Sequence, residues 1–112
     1  METMIESGNL FADIPEVLEK EQFLDLFSAP GVKIERIVST GHATPASEWL
    51  DQDWTECVAL LAGAAAIQIE GEPSVRTLEP GAWLLIPRHT RHRVEWTDSS
   101  GATIWLAIHV GV

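Results

Sequence analysis

Short apolar segments separated by turn residues fill the second half of the chain, and they constrain its fold more than any other feature. From residue 55 onward they follow one another with Gly, Pro or Asp turns between them: "TECVALLAG", "AAAIQIEG", "AWLLIP", "RHRVEWT" and "ATIWLAIHV". Segments this short, spaced by about eight to twelve residues, are typical of a β-sandwich or β-barrel. Because they leave no room for crossover helices, we predict an all-β protein with antiparallel strands.

The N-terminal region is predicted to contain one short helix. Asp13 is a favourable N-cap, and Pro15 falls in the first turn. Glu16 lies three residues beyond the cap, as in a capping box. We expect this helix to end near Glu21.

A β-hairpin is predicted to follow the helix. The segments "EQFLDLF" and "VKIERIVS" flank "SAPG", whose proline and glycine suit a tight turn. A chain of 112 residues is long enough for one domain and too short for two. We therefore predict a single domain over residues 1–112, with the helix and first hairpin strand in 13–28 and the barrel core in about 32–110.

The charge of the chain argues against two classes of partner. Seventeen acidic and seven basic residues give a net charge of −10, which repels phosphate backbones and anionic lipid surfaces. We expect no nucleic acid or membrane partner, and "METMIESGNL" lacks the apolar core of a signal peptide. The single cysteine, Cys57, cannot form an internal disulfide, so we expect a cytoplasmic protein.

Two polar side chains are predicted to face inward from different strands. If "RHRVEWT" is a strand, His92 shares the apolar face with Val94 and Trp96. Glu56 has the same relation to Val58 and the apolar positions after it. A buried carboxylate costs several kcal/mol unless it is paired, hydrogen-bonded or bound to a metal. The two residues together indicate a site inside the fold.

The segments that carry these residues resemble the two motifs of the cupin family. "GAWLLIPRHTRH" resembles the second motif, with Gly81 and Pro87 at the family spacing and His92 at the place of its metal-binding histidine. "ECVALLAG" resembles the end of the first motif, a glutamate and a glycine at Glu56 and Gly63. The short separation between the motifs is like that of small bacterial cupins. The resemblance implies an antiparallel jelly-roll barrel with a ligand site inside one end.

The first motif departs from the family pattern where it matters for metal binding. Cupins place a His-x-His pair three or four residues before the glutamate. With three intervening residues these places fall on Leu50 and Gln52, and with four they fall on Trp49 and Asp51. Neither alignment supplies a histidine.

The family resemblance implies a reduced set of metal ligands. Of the four ligands that cupins use for Mn, Fe, Ni or Zn, only Glu56 and His92 remain, with Gln52 as a weaker third. Three other histidines could add a ligand: His42, His89 and His109. Alternatively, His92 is a core histidine hydrogen-bonded to Glu56 or Gln52, or it contacts a ligand directly. A transition metal and no cofactor at all both stay open.

Tryptophans are candidates for the wall of the pocket. Trp49 and Trp54 lie in the polar segment that forms one wall of the site in cupins, where indoles either stack on a flat or sugar-like ligand or cap the barrel end. We add His42 and Trp96 to this predicted pocket. Three tryptophans in predicted strands are expected to lie in the core: Trp83, Trp96 and Trp105.

Three functions are consistent with these features. The first is a cupin that binds a small molecule with no metal or a weakly bound one. The second is a metal-dependent dioxygenase, isomerase or decarboxylase that uses Glu56 and His92 as ligands. The third is a structural protein that pairs through the N-terminal hairpin into a homodimer. The missing His-x-His pair favours the first function over the second, and the inward polar pair favours both over the third.

Overall fold

Eight β-strands form the protein in a computed structural model that describes residues 4–112. The strands are β1 (Gln22–Ala29), β2 (Val32–Ser39), β3 (Thr55–Ala62), β4 (Ala65–Ile69), β5 (Arg76–Leu78), β6 (Trp83–Ile86), β7 (His92–Thr97) and β8 (Thr103–Val110).

The strands form two sheets that pack face to face. One sheet has the order β1-β2-β8-β3-β6 and the other the order β5-β4-β7. Every paired strand is antiparallel to its neighbour, which confirms the all-β antiparallel prediction. The predicted hairpin is present as β1 and β2, and Gly31 in its turn has a φ of 83°.

The prediction of a closed barrel is wrong for the described residues, because no strand ladder joins one sheet to the other. The edges offer little backbone for such a ladder. β5 has only three residues, and β6 is followed directly by Pro87, which has no N–H to donate. Side chains hold the sheets together instead, and the buried cluster between them contains Val58, Leu60, Ala65, Ile67, Leu78, Ile86, Trp105 and Ala107.

Two of the three strand tryptophans are not core residues. Trp105 is buried as predicted, but Trp83 is 65% exposed. In β6 the alternation turns Leu84 and Ile86 towards the core, so Trp83 points outward.

A β-bulge in β7 explains the position of the third tryptophan. Ala66 pairs with Trp96 and Ile67 pairs with Val94, so one extra residue is inserted in β7 between them. A bulge of this kind reverses the alternation of side chains beyond it. Trp96 is therefore 42% exposed, while Thr97 is buried.

The predicted N-terminal helix is absent from the structure. Residues 13–21 form no helix, and Asp13 has a φ of 54°, in the left-handed region, whereas an N-cap residue takes an extended conformation. Long-range contacts occupy the backbone of this region. The guanidinium of Arg36 in β2 donates to the carbonyl of Ala12 at 2.7 Å. The backbone N–H of Leu18 donates to Thr40 Oγ1 at 3.0 Å. No helix among residues 4–112 has the length and apolar character needed to span a membrane.

Candidate ligand cavity

A cavity of about 360 Å³ opens between the two sheets. Its floor is the hydrophobic core, represented by Val58, Ile67, Ile86 and Trp105. The segment that precedes β3 forms one wall, and β1 and β2 form another. The volume lies within the range of small-molecule sites, about 300 to 1,000 Å³.

Glu56 and His92 line this cavity from opposite sheets. Glu56 is at the start of β3 and His92 is the first residue of β7, and both are buried, with 8% and 3% of their surfaces exposed. Each points inward because it precedes an inward apolar residue by two positions: Val58 follows Glu56, and Val94 follows His92.

The environment of Glu56 favours its neutral form. Burial is the main cause that raises the pKa of this carboxyl above its usual value. The positive charge that His109 and His92 can carry, and a hydrogen bond from Gln52, act in the opposite direction and are outweighed.

One ring nitrogen of His92 is fixed by the backbone, which leaves the other for a ligand. His92 Nδ1 lies 2.8 Å from the carbonyl oxygen of Thr90 and must donate to it, since a carbonyl only accepts. In the neutral ring, Nε2 is then an acceptor.

The segment before β3 places Gln52 at the cavity. The backbone N–H and carbonyl of Leu50 pair with those of His92 at 2.7 and 3.1 Å, so Leu50 and Gln52 both line the cavity. Gln52 Oε1 is buried without a partner among the described residues. The structure thus supports the alignment with three intervening residues, in which Leu50 and Gln52 occupy the histidine places.

A buried acid–histidine pair, formed by Glu35 and His109, also lines the cavity. His109 Nε2 donates to Glu35 Oε1 at 2.9 Å, and both side chains are less than 10% exposed. His109 Nδ1 is buried and has no partner in the described part of the chain. The sequence had singled out His109 but not Glu35. The signal for Glu35 is its position two residues before Ile37, which also lines the cavity.

The two tryptophans predicted for the pocket wall lie beside the cavity and do not line it. Trp49 packs on the outside under Arg93, whose guanidinium carbon is 4.5 Å from the ring centre, and Arg91 is 5.7 Å away. Trp54 packs edge-on against His109 with ring centres 5.7 Å apart. Trp54 therefore packs against His109, which lines the cavity, without lining the cavity itself.

His42 and Trp96 are also outside the lining of the cavity. His42 accepts the N–H of Thr40 at Nδ1 and contacts the carbonyl of Glu19 through Nε2 at 3.1 Å. It thus fastens the N-terminal segment to the end of β2. Trp96 faces away from the cavity because of the bulge in β7.

The residues present do not fit a protein-bound metal. Within residues 4–112, no three His, Cys, Asp or Glu side chains are grouped so that they could hold a metal ion. A catalytic zinc, for comparison, takes three protein ligands. His109 Nε2 is already engaged by Glu35. His89, another candidate, contacts Asp51 and Asp53 on the exposed surface.

Solved structures provide the comparison with known proteins. A crystal structure of a provisionally named mannose-6-phosphate isomerase from Ralstonia eutropha matches with a TM-score of 0.94 and 44% identity, over 96% of this chain and all of that one. A cupin superfamily protein from Desulfitobacterium hafniense matches with a TM-score of 0.74 and 18% identity, over 96% and 93% of the two chains.

A more distant relative shares the same architecture. An RmlC-like cupin family protein with a double-stranded β-helix fold from Methanocaldococcus jannaschii matches with a TM-score of 0.71 and 14% identity, over 97% and 94% of the two chains. No family model and no curated protein sequence matches the chain. The structural matches show that the chain has the fold of the cupin superfamily proteins.

Proposed function

We propose that the protein binds a small organic molecule in the cavity between its sheets, without a resident metal ion. The observation that carries this proposal is the convergence of Glu56, His92 and Gln52 on a cavity whose floor is apolar. Small-molecule sites are built in this way, with a few polar groups that orient a ligand over apolar side chains.

Free hydrogen-bonding atoms are the second support for a ligand. Gln52 Oε1 and His109 Nδ1 are buried without partners among the described residues. Leaving a buried polar atom unpaired costs about 1 to 3 kcal/mol. A ligand that donates to Gln52 Oε1 and contacts His92 Nε2 would recover part of that free energy.

Metal content separates this function from a metal-dependent one. We expect less than about a tenth of an equivalent of Mn, Fe, Ni or Zn in protein purified without a histidine tag, since a metal needs more donors than the cavity offers. The same sample is tested for retained ligands by mass spectrometry after denaturation. A full equivalent of metal that is lost in a Glu56→Gln variant would overturn the metal-free proposal.

A sugar isomerase is the second candidate function, favoured by the 44% identity to the Ralstonia eutropha protein. Interconversion of an aldose and a ketose moves a proton between neighbouring carbons, which requires a general base. Glu56 is the cavity carboxyl in a position to act as that base. The test is turnover of mannose 6-phosphate and of unphosphorylated mannose, with Glu56→Gln as the inactive control.

We also propose that the protein works as a homodimer in the cytoplasm. β1 is an edge strand and carries apolar side chains that are about half exposed, at Phe23, Leu24 and Phe27. Burial of such a surface against a second copy is favourable. Light scattering would then give twice the chain mass of 12.3 kDa. Cys57 has no disulfide partner, as suits a reducing compartment.

A further inference from the structure

The charged residues around the cavity are almost all acidic. Four carboxylates line it, from Glu21, Glu35, Glu48 and Glu56. Among the described lining residues there is no lysine or arginine. The only lining groups that can become positive are the imidazoles of two histidines, one of which is already paired with a carboxylate.

The four carboxylates are not equally compensated. Glu35 has His109 at 2.9 Å and Lys33 at 3.5 Å. Glu21 accepts a hydrogen bond from the hydroxyl of Ser39, which is a neutral donor. Within residues 4–112, Glu48 and Glu56 make no ion pair with lysine or arginine. The cavity therefore keeps an excess of negative charge.

The arginines that follow β6 are held outside the cavity. Arg88 lies 3.8 Å from Asp53, Arg91 lies 2.9 Å from Glu70, and Arg93 lies 2.8 Å from Glu95. Two of them also stack on the outer indole of Trp49. These are the arginines nearest in sequence to His92, and none lines the cavity where it could bind a phosphate or carboxylate.

We infer that the ligand of this cavity is a small organic cation, an ammonium group carried on a compact apolar body, and not a phosphate ester or other anion. The inference rests on the proposed small-molecule function. Glu48 supplies negative charge, and Glu56 adds to it when a bound cation favours its ionised form, while Phe23 and Trp105 offer aromatic surface for the ligand body. A phosphate ester would instead meet like charges in a site of low dielectric, where repulsion is strong. Binding of a cation would also favour the ionised form of Glu56.

Three probes of one shape and different charge test this inference. Cyclohexylamine, cyclohexanol and cyclohexanecarboxylate are positive, neutral and negative at pH 7. Binding is followed by the NMR signal of the Trp105 indole N–H, because Trp105 lines the cavity, with the exposed Trp83 indole as internal control. We expect the amine to bind at least about tenfold more tightly than the alcohol, with the carboxylate weakest.

A charge-neutralising variant keeps the test specific. Glu48 is exposed, so Glu48→Gln should leave the fold intact. We expect this variant to bind the amine several-fold more weakly, because one counter-charge is lost, and to bind the alcohol with unchanged affinity. Glu79→Gln removes an exposed carboxylate that does not line the cavity and should have no effect. An equal loss for amine and alcohol in Glu48→Gln would contradict the charge inference.

The outcomes separate this inference from the function on which it rests. If the carboxylate binds as tightly as the amine or more tightly, the inference fails while the small-molecule cavity stands. If no probe moves the Trp105 signal, both the inference and the proposed function fail.

Discussion

His109 Nε2 and Glu35 Oε1 lie 2.9 Å apart in the wall of the cavity, and they join neighbouring strands β8 and β2 through a buried acid–histidine contact. Buried polar groups of this kind affect stability mainly because removing one partner leaves the other buried without a hydrogen bond, which costs free energy. The pair also has a face towards the ligand space, since both residues line the cavity. The contact that joins β2 to β8 therefore also fixes part of the cavity lining.

Removing one partner of this pair should destabilise the fold. We expect Glu35→Ala to lower the free energy of unfolding by about 2 kcal/mol or more, because it leaves His109 buried without its acceptor. Glu35→Gln should lose less than half of that, since an amide oxygen can still accept from Nε2. Urea denaturation measures both variants. Losses below about 0.5 kcal/mol in both would show that the pair does not contribute to stability.

Glu56→Gln should stabilise the protein at neutral pH. The pKa of Glu56 is raised in the folded state, so the carboxyl is accommodated without penalty below its unfolded pKa of about 4.5. As the pH rises through the folded pKa, the folded state must either keep the proton or bury a charge, and stability falls. The neutral glutamine avoids this loss.

Melting temperatures at two pH values test the sign of this effect. The gain of Glu56→Gln over the native protein should be close to zero near pH 4 and positive near pH 8. Glu79→Gln, an exposed change, is the control and should show no such trend. A larger gain at low pH than at high pH would contradict the assignment of burial as the dominant influence on Glu56.

Strand periodicity predicted the central part of the site from the sequence. In β3 and the start of β7 the alternation is regular, so the sequence alone assigns Glu56 and His92 to the inner face. That alternation fails beyond Val94 because the bulge inserts one residue, and this is why the prediction for Trp96 did not hold. Bulges leave little trace in a single sequence.

Long-range contacts explain what the sequence did not predict. In β2, Glu35 and Arg36 are adjacent and both buried, which no period-two pattern suggests. Glu35 faces the cavity, while Arg36 is covered from the other side by the N-terminal segment, whose carbonyls it binds. The same contact replaces the helix that the local capping signals of Asp13 and Glu16 had favoured. Local propensity was overridden by tertiary hydrogen bonds.

Gly63 should tolerate no side chain. It has a φ of 87°, and a Cβ placed there would lie 2.9 Å from the carbonyl oxygen of Ala102 and would overlap Thr103. We expect Gly63→Ala to destabilise the fold by about 3 kcal/mol or more, from backbone strain and overlap together. Gly71→Ala is the matched control, because Gly71 has a φ of 89° with nothing within 4 Å. It should show only the strain, about 1 kcal/mol; similar losses in both variants would remove the case for close packing at Gly63.

His89 should stabilise the segment before β3, which forms one wall of the cavity, in a pH-dependent way. The ring of His89 contacts Asp51 at 3.0 Å and Asp53 at 3.1 Å, and the backbone N–H of His89 donates to the carbonyl of Gln52 at 2.7 Å. The hydrogen bond to Asp51, reinforced by the charges of both aspartates, raises the pKa of His89 above its usual 6.5. For a raised histidine pKa, the stabilising contact is complete below about pH 6.5 and is lost as the pH rises through the folded pKa.

Hydrogen exchange of the backbone amides in residues 50–53 checks this expectation. Corrected for intrinsic rates, protection should fall between about pH 5.5 and pH 8.5 in the native protein as the imidazole loses its charge. His89→Asn is the matched control, because asparagine tolerates the φ of 60° at this position but does not titrate. Its protection should be lower at pH 5.5 and nearly independent of pH. If the native protein and His89→Asn show the same pH profile, the fastening of Gln52 does not depend on the charge of His89.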